Sequence, residues 1–142
     1  MTQSTSDSPR ALPLEIASEF VRKINNHDVH ALCGMMTEDH LFIDSLGTRM
    51  QGRENMLKAW QAYFVMVPDY IIEITHQFSE GSEVALLGIA RGTFSPDGAL
   101  RMENRWSMPA AWRALVRDRA VAEWQVYADN EPVRKLVSEH SE

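Results

Sequence analysis

The segment Tyr70-Ile71-Ile72-Glu73-Ile74-Thr75-His76-Gln77-Phe78 sets Tyr70, Ile72, Ile74, His76 and Phe78 against Ile71, Glu73, Thr75 and Gln77. A period of two in β-branched and aromatic residues is the signal of a strand with two unlike faces. Ser79-Glu80-Gly81-Ser82 then reads as a turn into a second strand from Val84 to Phe94. Ser95-Pro96-Asp97-Gly98 is a stronger turn signal, because proline presets one backbone angle and glycine accepts the next. A long extended run from Leu100 to Val116 follows, with Pro109 marking a bulge or an edge, and a last strand runs from Ala120 to Asp129. This half of the chain predicts an antiparallel meander, and Asn130 and Pro132 start a short C-terminal helix.

Upstream of Tyr70 the period changes. Ile16, Phe20, Val21 and Ile24 recur every three to four residues from Leu14 to Asn26, which predicts a helix with one buried face. Asp28 caps a shorter helix that carries Val29, Leu32 and Met36 inward and stops near Thr37 to Asp39. His40-Leu41-Phe42-Ile43-Asp44 is strand-like, with His40, Phe42 and Asp44 on one face, and Gly47 permits a turn. Gly52-Arg53-Glu54 opens a third helix along the stripe Met56, Trp60, Phe64 and Val67, ended by Pro68-Asp69. The order helix, helix, strand, helix, meander predicts an α+β fold with helices against one face of a single sheet. Residues 1–12 read as a polar, disordered tail, and residues 13–142 as one domain.

Composition narrows the partners. The chain has 142 residues, 44% hydrophobic and 24% charged, with no apolar run long enough to span a bilayer. A formal charge of -6 opposes binding to nucleic acid, whose affinity depends on clustered Lys and Arg. Arg113, Arg117 and Arg119 alternate with apolar or acidic neighbours and read as a solvated sheet edge. The single cysteine, Cys33, excludes an internal disulfide and fits a reducing cytoplasm; its own role is that of a small buried hydrophobe. No metal-ligand spacing, phosphate loop or nucleophile elbow is visible, so neither a metal nor another cofactor is implied.

Four stretches together resemble the SnoaL-like and ketosteroid-isomerase-like families of the nuclear transport factor two-like superfamily: Phe20 through Ile24-Asn25-Asn26-His27-Asp28, Thr37 to Gly47, Gly52-Arg53-Glu54, and Trp124-Gln125-Val126-Tyr127-Ala128-Asp129. The resemblance spans roughly residues 14 to 138. It implies a cone: a strongly curved, mostly antiparallel sheet wrapped by three helices around a hydrophobic pocket, and a homodimer through the outer sheet face. These folds host isomerases, cyclases, lyases, epoxide hydrolases and non-catalytic binders, so residues must decide the function.

In the ketosteroid isomerases the general base is an aspartate at the end of the first strand, and the resemblance places Asp44 there. A carboxylate facing an apolar cone is a stronger base, whereas an Asp before a Leu-Gly turn also serves simply to hold that turn; both readings stand. The oxyanion donors of those enzymes are not matched, since the tyrosine's place falls on Phe20 and the late-strand acid's nearest match is Trp112. Met36 and Trp60 stand where supporting tyrosines would be. Loss of such donors costs about two to three powers of ten in rate each, which argues against steroid isomerisation by that route.

His76 is the second catalytic candidate, provided its alternating face looks inward; a satisfied strand histidine is the competing reading. His40, at a strand start, is expected at the surface. On the last strand Ala122, Trp124, Val126 and Ala128 should face the pocket, leaving Gln125 and Tyr127 for a dimer contact and Asp129 to cap the last helix; a catalytic Tyr127 and Asp129 pair is the alternative. Phe20, Phe42, Trp60, Trp112 and Trp124 are candidate substrate walls, because aromatic surfaces suit planar ligands, although core packing would use the same residues. The expected function is a cofactor-independent acid–base enzyme acting on a hydrophobic carbonyl compound, with a non-catalytic binding or dimerisation module as the alternative.

Overall fold

A computed structural model describes residues 11–140. Helices α1 (Ala11–Asn25) and α2 (Val29–Gly34) lead into strand β1 (Met36–Ile43). A short β2 (Arg49–Gln51) precedes helix α3 (Arg53–Met66). Strands β3 (Ile71–Glu80), β4 (Glu83–Thr93), β5 (Arg105–Arg117) and β6 (Ala120–Ala128) form the meander, and helix α4 (Glu131–His140) closes the described chain. The strands make one curved sheet in the order β2-β1-β6-β5-β4-β3, antiparallel except where β1 lies parallel to β6. The architecture is the expected α+β cone, with α1 to α3 wrapping the sheet's inner face.

Local chemistry explains the helical hairpin. Asp28 accepts the N–H of Ala31 at 3.1 Å and caps α2. Asn25 pairs twice with the backbone of Ile72, accepting its N–H at 2.8 Å and donating to its carbonyl at 2.9 Å. Since β3 is an edge strand, that amide occupies peptide groups that would otherwise lack a partner. His27, in a left-handed conformation (φ 58°), lies 2.8 Å from the Tyr70 carbonyl and stacks on Phe64. The Asn25-Asn26-His27-Asp28 stretch that carried the resemblance is thus a clamp between α1, α2 and the start of β3.

The core sits on the sheet's inner face, where large residues oppose small ones. Trp106 faces Gly92, Trp124 faces Ala114, and Trp112 lies between Leu86 and Val126. A Cβ on Gly92 would lie 2.4 Å from Val67 Cγ1 and 3.3 Å from the Trp106 ring, so glycine makes room for both. On the outer face Arg113 bridges Glu83 at 2.7 Å and Glu123 at 2.5 Å, spanning β4, β5 and β6.

Several expectations shift. Ala11 and Leu12 already belong to α1, while the rest of the expected tail lies outside the described residues. The second helix ends at Gly34, so Met36 to Asp39 are strand rather than helix end, and β2 was not foreseen. A single 3₁₀ turn, Met102–Asn104, divides the run from Leu100. Pro109 makes no bulge: its pairing with Ile89 keeps register, and β6 ends opposite Ala110, which leaves that side of Pro109 an edge. Arg113 is not at a sheet edge but in its middle, where an ion pair on either side holds it.

The expectation for His40 fails more sharply. It is fully buried, because β1 is covered on one side by β6 and α1 lays Phe20 over the ring at 6.1 Å. Its Nδ1–H donates to the Val121 carbonyl at 2.7 Å. Burial holds its pKa below the ordinary range, and the imidazole is neutral with Nε2 unprotonated.

Candidate active site

Between α3, the inner face of β4 to β6, the end of β1 and the start of α4 lies a cavity of about 270 Å³. One wall is a chain of aromatic rings. Trp60 and Tyr63 meet edge to face at 6.0 Å, Tyr63 and Tyr70 at 5.0 Å, and Trp106 lies 6.0 Å beyond Tyr70. Trp60 and Tyr63 share a helix face because they are three residues apart. The opposite wall is sheet, with Met108, Ala110 and Trp112 from β5 and Trp124, Val126 and Ala128 from β6. Alternation places Trp124, Val126 and Ala128 inward, as expected for β6, whereas Ala122 falls at a register shift between β5 and β6 and is buried away from the cavity.

Polar groups at the cavity are few. Asp44 and Ser45 border it from the end of β1, and Asn130 from the start of α4. Burial raises the pKa of Tyr63 and that of buried Tyr70, where the neighbouring phenol adds to the effect. Both are neutral hydroxyls at neutral pH. Among the described residues no Lys, Arg or His lines the cavity, and Asp44 is the one carboxylate on its walls. Among the described residues no three His, Cys, Asp or Glu side chains come together as a metal site would require.

Asp44 is held by its own loop. Oδ1 accepts the N–H groups of Leu46 and Thr48, each at 2.9 Å, and the loop returns through Gly47 (φ 84°), whose N–H donates to the Asp44 carbonyl. This is the turn-fixing geometry that its Leu-Gly context suggested, and Oδ2 stands outside these bonds. The same residue therefore borders the pocket and anchors the loop at its mouth.

His76 does not reach the cavity. A β-bulge intervenes: Ile74 pairs with Gly88 and His76 with Leu87, so Thr75 is an extra residue. The extra residue reverses the parity, which turns His76 and Phe78 to the outer face while Ile72 stays buried. His76 is exposed, and its Nδ1 lies 3.0 Å from the Thr75 hydroxyl. Gly88 admits the bulge, since a Cβ there would sit 1.9 Å from the Glu73 carbonyl oxygen. A glycine inside β4 was the one available sequence signal.

Phe20 also departs from expectation. It is completely buried against Trp124 (ring centroids 4.8 Å apart) and His40, so it is packed in the core under α1 and is not among the cavity walls. Phe42, Trp60, Trp112 and Trp124 do line the cavity, as does Asp44. Tyr63 and Tyr70 are wall residues that the candidate set lacked, and Trp106 lines the cavity beside them. Tyr127 is half exposed on the outer face, and Asp129 Oδ1 accepts the N–H of Glu131 at 3.1 Å at the start of α4.

The curved sheet, the wrapping helices and an apolar pocket inside define a cone protein of the nuclear transport factor two-like kind. Residues 17–124 match the model of the SnoaL-like domain. The chain belongs to the SnoaL-like domain family. Its structure is similar to that of a SnoaL-like protein from Jannaschia, with a TM-score of 0.79, 16% identity and coverage of 96% of this chain and 97% of that one. It also resembles an LEH-like epoxide hydrolase of M. tuberculosis, with a TM-score of 0.76, 14% identity and 93% of both chains covered. A third neighbour is a protein with the ketosteroid isomerase-like fold from Catenulispora acidiphila, in complex with trimethylamine, with a TM-score of 0.73, 20% identity, and coverage of 87% and 92%. At these identities the likeness is one of fold. No curated protein sequence matches. Among the described residues no helix is long and apolar enough to cross a membrane.

Proposed function

We propose that this chain binds a flat, hydrophobic, carbonyl-bearing small molecule inside the cone and that Asp44 is the general base acting on it, without a cofactor. The observation that carries the reading is the cavity itself: aromatic and aliphatic walls, neutral phenols and, among the described residues, a single carboxylate. Such walls favour planar apolar ligands, and a carboxylate beside them can take a proton from a carbon next to a carbonyl. His76 has no part in this chemistry, because the bulge in β3 turns it away. A ketosteroid isomerase mechanism is not expected, since the position of its tyrosine donor is held by a fully buried phenylalanine, Phe20.

A second reading, a non-catalytic binder of the same fold, draws on Asp44 Oδ1 being engaged by two backbone N–H groups. Deuterium exchange separates the two. With 2-acetylnaphthalene in D₂O, the wild-type protein should accelerate methyl-proton exchange, and Asp44→Asn should slow it by about two to four powers of ten while the Kd stays the same. Binding without accelerated exchange would select the non-catalytic reading.

The outer face completes the proposal. Phe78, Leu87 and Tyr127 are exposed there around the Arg113 ion pairs, a surface suited to a second copy of the chain. Light scattering should give a dimer mass at tens of micromolar, and Leu87→Glu should give a monomer; a wild-type monomer would remove the dimer from the proposal.

A further inference from the structure

Of the described helices, α4 is the least buried. Helix α1 buries Ala17, Phe20 and Ile24 completely, and α3 buries Met56, Trp60 and Phe64, whereas no residue of α4 is buried. Val133 and Leu136 are half-buried against the core, and the rest of α4 is exposed. Asp129 accepts the N–H of Glu131, Arg134 pairs with Glu131 at 3.5 Å, and His140 Nδ1–H donates to the Leu136 carbonyl at 2.8 Å. These bonds tie the helix to itself and its cap. A ten-residue helix is marginal alone, so its order depends on Val133, Leu136 and the ring of His140, which meets Phe94 edge to face at 5.3 Å. Yet α4 is part of the cavity wall, through Val133 and, just before it, Asn130. A second cavity, of about 440 Å³, lies between α4 and the start of β5, with Pro132, Leu136 and Glu139 on one side and Arg105 and Ser107 on the other. Trp106 lines both cavities, so α4 spans this end of the cone without being packed down on the sheet.

We propose that α4 is a lid, which swings on Asn130 to admit a ligand to the cavity and settles over the ligand once it is bound. The Asn130 carbonyl accepts the N–H groups of Val133 at 3.1 Å and Arg134 at 2.9 Å, which start the helix, and the same residue borders the cavity. Hinge and wall therefore meet at one position. The other walls cannot open as readily: α3 sets Trp60 against Phe64 and Tyr70, and the sheet supplies Trp112 and Trp124, each 1% exposed. Moving either wall breaks the core, whereas lifting α4 frees two half-buried aliphatic side chains and one ring contact. A lid that closes also keeps water from a ligand held beside Asp44, the condition under which a carboxylate best takes a proton from carbon. The inference rests on the cavity being the binding site and adds how a ligand reaches it.

Backbone hydrogen exchange of the whole chain, read by mass spectrometry without and with 2-acetylnaphthalene, tests the lid. In the free protein α4 should exchange about a hundredfold faster than α3, and the bound ketone should slow α4 about tenfold. Leu136→Ala loosens α4 without altering the wall of the ligand cavity, since Leu136 lines only the second one. That variant should release bound ketone about tenfold faster in stopped-flow tryptophan fluorescence, at an unchanged urea midpoint. A merely structural role would lower the midpoint and leave release alone. Exchange of α4 as slow as that of α3 in the free protein, binding that leaves α4 exchange unchanged, or release from Leu136→Ala at the wild-type rate would each overturn the lid and leave the pocket standing. Binding to neither protein would overturn the pocket reading and this inference together.

Discussion

The two faces of the central sheet share one backbone and differ in almost everything else. The inner face sets Trp106 against Gly92 and Trp124 against Ala114 and, among the described residues, has Asp44 as the one carboxylate at the cavity. The outer face carries ion pairs across neighbouring strands, Arg91 with Glu73 and Arg113 with Glu83 and Glu123, among exposed Phe78, Leu87 and Tyr127. What assigns a residue to one face is parity along the strand. One extra residue in β3 is enough to move a candidate catalytic histidine from the pocket to the opposite surface.

The contrast in energy between the faces can be tested directly. Trp124→Ala removes a side chain 1% exposed and packed on Phe20, and urea denaturation should show a loss of about 3 to 5 kcal/mol. Glu83→Ala, which removes one exposed partner of Arg113, should cost less than about 1 kcal/mol. Similar losses in the two variants would mean that the faces are not energetically distinct.

The bulge that separates the faces should be the next most sensitive point. Gly88→Ala places a methyl group against the backbone of Glu73, which can yield only by moving β3, so a loss of about 2 to 3 kcal/mol is expected. A neutral substitution would show that β3 runs further from β4 than the structure has it.

The smallest effect concerns His40, buried on β1 beneath α1. Its pKa is held down in the folded protein, chiefly by burial, so the unfolded chain binds the proton more readily. Its contribution to stability is complete above the ordinary histidine value near 6.5 and declines as pH falls from there through the lower folded value. Urea midpoints should therefore drop more between pH 7.5 and 5.5 in the wild type than in His40→Gln. Equal drops would assign the pH dependence to other groups.

Much of the fold was legible because its signals are local. Helical periodicity from Ile16 to Ile24, the Asp28 cap and the Ser95-Pro96-Asp97-Gly98 turn each act within a few residues. The inward set on β6 was legible for the same reason, since no bulge intervenes between Trp124 and Ala128 and parity survives. Tyr63 and Tyr70 escaped because they become neighbours only when α3 folds back over the start of β3. Phe20 was misplaced because an inward-facing helical residue can be core or cavity wall, and sequence period is the same for both.

By itself the sequence determined the class of fold, the order of its main elements and an aromatic interior, because hydrophobic periods and turn residues act through neighbours along the chain. Tertiary structure alone decided which side of the sheet His76 takes, that His40 is buried, and that Asp44 both anchors a loop and borders a cavity. Each of these depends on strand register and on packing between residues distant in sequence. A register shift of one residue leaves local propensity nearly unchanged and reverses the face on which every following side chain lies.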